Sequence, residues 1–218
     1  MSVKKHIFSC QYFGSSIVYL QNNTKSLWLE AHENYQKRSL RNRCYLLGPN
    51  AEQILSVPLQ KGKNNQTSIK DVKISYGSDW QKMHIETIKA CYNRSPFLEY
   101  YIEDIKSILD QKPVFLWDLN IQTMEWLISA LRIDLKLKFT ESYSNTDLID
   151  LRHSESDIFK QHEHLFADKL KYAQVFEDKY GFRFCRSVLD LLFCTGPEAS
   201  LYLKNDLVKW KQILDSKA

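Results

Sequence analysis

At Asp79 the hydrophobic period of this chain changes, and that change limits the folds open to it. Before it, apolar residues come in short runs or alternate with polar ones, as in "HIFSCQYFG", "SLWLEAHE", "QILSVPLQ" and "IKDVKISYG". Alternation at a period of two marks a strand with one face buried. Val72, Ile74 and Tyr76 form such a face, opposite Asp71, Lys73 and Ser75. The first strand is expected to end near Gln11, "SIVYL" starts a helix or continues a turn, and "KGKNNQTS" reads as a polar loop.

After Asp79 the spacing is helical. Asp79 is the expected N-cap, and Trp80, His84, Ile88 and Cys91 follow on one face. A second helix is expected with Ser95 as its cap and Pro96 at its first position, burying Leu98, Ile102, Ile105 and Leu109. A third is expected across "IQTMEWLISALRI", behind Asp118 or Asn120. "LKLKFTESY" alternates once more, and "RSVLDLLFCTG" is a helix stopped by Gly196, with Pro197 opening the next. The order predicts a mixed α/β fold, with an open sheet in a strand-rich N-terminal half and helices in the C-terminal half. No repeat or linker divides the sequence, so residues 1–218 are expected to form one domain. A domain of 218 residues buries roughly 70–75% of its unfolded surface.

Several function classes lack their residues. The six glycines are isolated, and neither a G-x-G-x-x-G nor a G-x-x-x-x-G-K-[ST] phosphate loop occurs. G-x-S-x-G is also missing. No apolar run has the length of a signal peptide or a membrane span. The five cysteines are scattered without a C-x-x-C pair, which predicts reduced thiols in a cytoplasmic protein, Cys185 and Cys194 included. His153, His162 and His164 lie in the polar stretch 144–168. On a helix His162 and His164 would point roughly 200° apart and could not share an ion, whereas on a strand or loop they could; a solvated loop is expected there ahead of a metal site. A net charge of +4 is too mild to mark a nucleic-acid binder by itself.

Local charge is another matter. "NYQKRSLRNRCYL", residues 34–46, holds Lys37, Arg38, Arg41 and Arg43 and no acid. As a loop leaving the "SLWLEAHE" strand, it would place Arg41 and Arg43 on one face and Asn42 on the other. Guanidinium forks bind phosphate or carboxylate through two parallel hydrogen bonds. The run is therefore an anion site, or else a solvated edge, or it pairs with Glu30, Glu33 and Glu52 nearby. His84, one turn after Trp80, is either an acid–base group or a hydrogen-bonded core residue. Asp190, among Val188, Leu189, Leu191 and Leu192, is expected to be buried and paired with Arg, Lys or backbone N–H groups.

Six segments in one order, "CQYF", "ENYQKRSLRNRCYL", "LSVPL", "IKDVKISY", "DWQKMHIETIKACYNRSPF" and "SVLDLLFCTGPEA", together resemble the WbqC-like proteins. The resemblance implies a role in making bacterial O-antigen or other polysaccharide. The implied activity is transfer of an amino acid, such as glycine, or another acyl group to an activated sugar. It carries over Gln11, Lys37, Asn42, Arg43, Asp71, Trp80, Lys82, His84, Tyr92 and Asp190. Gly14-Ser15-Ser16 departs from it, since many relatives have Pro, and often Trp, there. In an open α/β sheet the basic run and the Trp80–His84 helix would line one crevice. Arg43 and Lys37 would then hold a phosphate or carboxylate, Arg41, Asn42, Gln11, Trp80, Lys82 and Tyr92 would contact substrate, and His84 would move a proton, oriented by Asp71. The expected partner is a phosphorylated or nucleotide-linked sugar, with the acyl donor and any cofactor unspecified and no membrane. Two alternatives stand beside this. One is a binding module for such a sugar or a partner protein; the other is nucleic-acid binding with Tyr35 and Tyr45 as stacking platforms.

Overall fold

The computed structural model describes residues 5–19, 25–61, 64–143, 148–152, 171–183 and 187–204. Its centre is a parallel sheet. Strand β1 (Lys5–Phe8) pairs with β2 (Ser26–Leu29) on one side and β6 (Leu148–Asp150) on the other, and β2 pairs with β5 (Lys136–Phe139). The order is β5-β2-β1-β6, with Phe8 beside Leu29 and Leu27 beside Leu137. A short helix α1 (Ser16–Tyr19) lies in the crossover from β1 to β2.

Between β2 and β5 the chain adds an antiparallel hairpin, β3 (Arg43–Leu47) and β4 (Glu52–Ser56), then three helices. These are α2 (Trp80–Tyr92), α3 (Leu98–Asp110) and α4 (Leu116–Ala130). Each is amphipathic and turns its apolar stripe inward: Trp80, Ile88 and Cys91 from α2, Ile102, Ile105 and Leu109 from α3, Leu119, Met124 and Leu127 from α4 are all buried. The C-terminal part supplies α5 (Glu177–Tyr180), α6 (Val188–Thr195) and α7 (Ala199–Lys204). The fold is mixed α/β as the periodicity predicts. No helix among the described residues is long and apolar enough to cross a membrane.

Four local expectations differ. "IKDVKISYG" keeps its alternation, with Val72 and Ile74 buried and Asp71 and Lys73 exposed, but begins as a 3-10 turn over Ile69–Asp71. It makes single bridges, Leu59 to Ile74 and Lys73 to Phe115, so it lacks a ladder. "RCYLL" is strand β3 where a loop was expected. Cys44 and Leu46 point inward while Arg43, Tyr45 and Leu47 are half-buried, an alternation hidden by the cations around it. Helix α3 starts at Leu98, because Ser95 instead donates its hydroxyl to Tyr92 O at the end of α2. Helix α4 starts at Leu116, upstream of Asp118 and Asn120.

Gly196 ends α6 as predicted, at φ 55°. A Cβ there would lie 2.5 Å from the Phe97 ring, whereas one at Gly181, also left-handed at φ 66°, would meet nothing within 4 Å. Left-handed backbone alone costs about 1–2 kcal/mol in a residue with a side chain, and overpacking adds roughly 1–3 kcal/mol. Gly196→Ala should therefore destabilise clearly more than Gly181→Ala in urea denaturation, and equal midpoints would contradict the packing described.

Candidate functional site at the carboxyl edge of the parallel sheet

Ligands of open parallel sheets gather where strands end and connections diverge. Here the loops after β1 and β2 meet at that edge, and both are more buried than the basic sequence suggests. The turn after β1 is core. Residues 9–19 are all buried, and Gln11, fully buried, accepts the Ser15 N–H at 2.7 Å. Phe13 and Gly14 are both left-handed (φ 59° and 69°), and the Tyr19 ring covers Gly14 so closely that a Cβ would lie 2.7 Å from it. Gln11, expected to contact substrate, therefore holds this turn from inside.

The basic run divides. Arg41 is 1% exposed, and its Nε and Nη2 donate to Glu33 at 2.8 and 2.5 Å. Asn42 is also interior: Tyr35 donates its hydroxyl to Oδ1 at 2.9 Å, and Nδ2 donates to Val57 O at 3.0 Å. Arg41 and Asn42 are thus both turned inward, and Arg41 and Arg43 do not share a solvent face. Lys37 and Arg38 are exposed on a turn where Arg38 is left-handed (φ 57°). Arg43 stands between these extremes. It is half-buried, and its Nε is buried with no hydrogen-bond partner among the described residues. Nearly every buried polar group in a native fold has a partner in protein or water, so this donor is a place where an incoming acceptor would be held.

Behind the run lies a polar network that the sequence reading missed. Glu30, fully buried, accepts from the Thr140 hydroxyl at 2.7 Å and the His32 N–H at 2.8 Å, and pairs with Arg152 at 3.4 Å. Arg152 also forks onto Asp150 at 2.9 and 2.6 Å and lies 4.9 Å from the Tyr143 ring. Asn120, fully buried in α4, donates to both Cys10 O (3.2 Å) and Arg41 O (2.8 Å), so it ties the loops after β1 and β2 together. An acid set in the apolar run "SLWLE" and an amide inside an apolar helix were the available signals.

His84 is 5% exposed, one turn along α2 from Trp80. Its Nδ1 is 3.0 Å from the Tyr12 hydroxyl, and its ring centre is 5.0 Å from that of Trp80. Trp80 is itself fixed by donating Nε1 to Ser75 O at 3.1 Å. Burial lowers the His84 pKa to about 4, opposed by a hydrogen bond to the Ser56 backbone, and burial drives the Tyr12 phenol well above its ordinary value. The imidazole is neutral at pH 7. Asp71, expected to orient it, is exposed on the 3-10 turn and makes no side-chain bond to it, so Tyr12 has that place. Lys82 is exposed on the outer side of α2. Tyr92 is fully buried against Phe193, its hydroxyl accepting the Leu47 N–H at 3.4 Å. Asp190 is buried as expected, and accepts from the Tyr172 hydroxyl and the Gln174 amide at 2.5 and 2.6 Å.

The structure thus brings Tyr12, Trp80 and His84 together beneath the hairpin. Ser56 links them to Arg43: it faces Arg43 in the β3–β4 register, and its backbone bonds the imidazole. His153, His162 and His164 lie outside the described residues, among which no group of three metal-binding side chains occurs. An open depression of about 390 Å³ on the outer face of α3, lined by Glu103, Lys106 and Asp110, involves none of these groups.

Two measurements check this geometry. Arg41→Ala would leave Glu33 charged and buried, and should cost about 3–5 kcal/mol in denaturant unfolding. For His84, the folded pKa lies below the usual 6.5, so the unfolded chain takes up the proton first as pH falls. Its contribution is full above pH 6.5 and is lost toward pH 4, on the order of 3 kcal/mol in total. Stability of His84→Gln should lack that segment of the pH profile.

The comparisons with known proteins bear on this arrangement at its centre. No curated protein and no solved structure matches the chain significantly. A family model matches residues 18–162, which takes in the basic run, the hairpin, Trp80, His84 and Asn120 and leaves Gln11 and Asp190 outside. The chain belongs to the WbqC-like protein family.

Proposed function

We propose that the chain is a transferase of bacterial O-antigen or related polysaccharide synthesis. It acts in the cytoplasm and attaches an aminoacyl group, glycyl for example, or another acyl group to a phosphorylated or nucleotide-linked sugar. The observation that carries this is Arg43, whose buried Nε lacks a partner one residue beyond the locked Arg41 and Asn42. Those two fix the backbone from which Arg43 projects, and a guanidinium so held suits a phosphate oxygen. Lys37, exposed in the same run, adds charge at the rim. In the transfer, the acceptor hydroxyl or amine forms a bond to the acyl carbon as the donor's leaving group departs. The proton released must pass to a base. Tyr12 and His84 supply a buried hydroxyl–imidazole pair for it. A ring of pKa about 4 holds that proton only in passing, so its rate contribution belongs at the low end of general-base effects, near 10².

One observation favours a second reading, a binding module without chemistry: His84 is engaged by both Tyr12 and Ser56, as a satisfied core histidine would be.

A thermal-shift screen of nucleotide-sugars and aminoacyl donors tests the first step, since a ligand at a hundred times its Kd stabilises by about 2.7 kcal/mol. Arg43→Ala should weaken the best hit roughly 10- to 100-fold, as loss of a charged hydrogen bond does, while exposed Arg38→Ala stays within about twofold. Comparable losses at both positions would remove Arg43 from the site. With the substrate in hand, His84→Gln should slow turnover per folded molecule about a hundredfold. Unchanged turnover would put the binding module first.

A further inference from the structure

Where β5 ends, the surface carries an aromatic ledge that none of the reading above uses. Phe139, last residue of β5, is 41% exposed. Its ring centre lies 5.6 Å from that of half-buried Trp117 in the first turn of α4, the two planes tilted by 55°. Lys70, on the 3-10 turn, places its ammonium 5.7 Å above the Trp117 ring. The ledge belongs to the same carboxyl edge as the site, since the next residue, Thr140, bonds Glu30 of the neighbouring connection.

Its charges narrow the ligand. Asp71 follows Lys70 and Asp118 follows Trp117 in the chain, both exposed, so two acids accompany the two lysines of these turns, Lys70 and Lys73. A polyanion or a free phosphate gains little from such a balance. A neutral ring with many hydroxyls gains from each part. Its C–H bonds meet the negative faces of the aromatics, and its hydroxyls both donate to the carboxylates and accept from the ammonium. We infer that the Trp117–Phe139 ledge, flanked by Lys70, Asp71 and Asp118, is a docking subsite for a pyranose ring of the sugar substrate. The inference rests on the proposed function only for the kind of molecule that the ring belongs to. Asp71 then serves as a hydroxyl acceptor in sugar binding and has no part in orienting His84.

Saturation-transfer NMR with N-acetylglucosamine, glucose and UDP-N-acetylglucosamine tests it. The parent should pass saturation to the pyranose C–H protons of the free sugars. Phe139→Ala, at an exposed position, should lower that transfer about fivefold, as loss of an aromatic face does, and exposed Lys70→Ala should lower it severalfold through loss of a charged hydroxyl partner. Arg43→Ala should leave the free sugars unaffected while weakening the nucleotide-sugar, so failure at Arg43 and failure at the ledge are told apart. Equal transfer in Phe139→Ala and the parent, transfer confined to the uracil ring, or none from either neutral sugar to the parent would each overturn the inference.

Discussion

The pairing of Arg41 with Glu33 is the interaction on which the rest of this edge depends. Both side chains are almost completely buried, and each would be costly alone. Together they fix the loop after β2 at two points, eight residues apart, and the turn between them keeps Lys37 and Arg38 outside. The backbone around the pair is then put to use. Arg41 O accepts from Asn120, and Leu40 O accepts the Tyr12 N–H at 3.0 Å, so the loops after β1 and β2 are held by one residue stretch. A pair of this kind adds little net stability over an apolar replacement. What it adds here is position: one loop conformation, with the hairpin leaving it in one direction.

That position explains which cations are available. A run of four cations in a sequence reads as one feature, yet the fold gives them three fates. Arg41 becomes interior structure, Lys37 and Arg38 remain surface, and Arg43 is left with a dehydrated donor. The division follows from register. Strand β3 begins at Arg43, so Cys44 and Leu46 take the inner face and Arg43 falls on the other. The two residues before the strand turn inward to meet Glu33, Tyr35 and Val57.

Much of this architecture could be read from spacing. The helical stripe from Trp80 to Cys91 and the stop at Gly196 follow directly from apolar period and from glycine's tolerance of positive φ. The alternation of Val72 and Ile74 with Asp71 and Lys73 was legible too, but alternation reports which side is buried and not whether a neighbouring strand exists to make a ladder. Of the polar partners, Glu33 was legible as a possible mate of the basic run, and the distant ones were not. Glu33 meets Arg41 nearby in sequence, whereas Glu30 meets Arg152 and Asn120 meets Cys10 across more than a hundred residues. No local pattern encodes a contact that only the sheet order creates. Tyr12 was passed over for the same reason: within "CQYF" it is one aromatic among several, and only the approach of α2 makes its hydroxyl the partner of His84.

The hairpin gives these separate groups a common mechanical element. Arg43 and Ser56 are opposite one another across β3 and β4, about 4.5–5.5 Å apart at Cα as antiparallel partners are. Ser56 also bonds the imidazole, whose other contact, Tyr12, continues from the turn after β1. Arg43 therefore stands on a strand pair whose far strand touches His84, and the ring is clamped between that strand and a loop that Asn120 and Leu40 hold in place. The imidazole stays neutral because it is shut away from water, and it is shut away because Trp80 and the hairpin close over it. Opening the hairpin would readmit water and raise its pKa toward the ordinary range. Arg43 and His84 are thus joined structurally through Ser56, which stands opposite one in the hairpin and bonds the other.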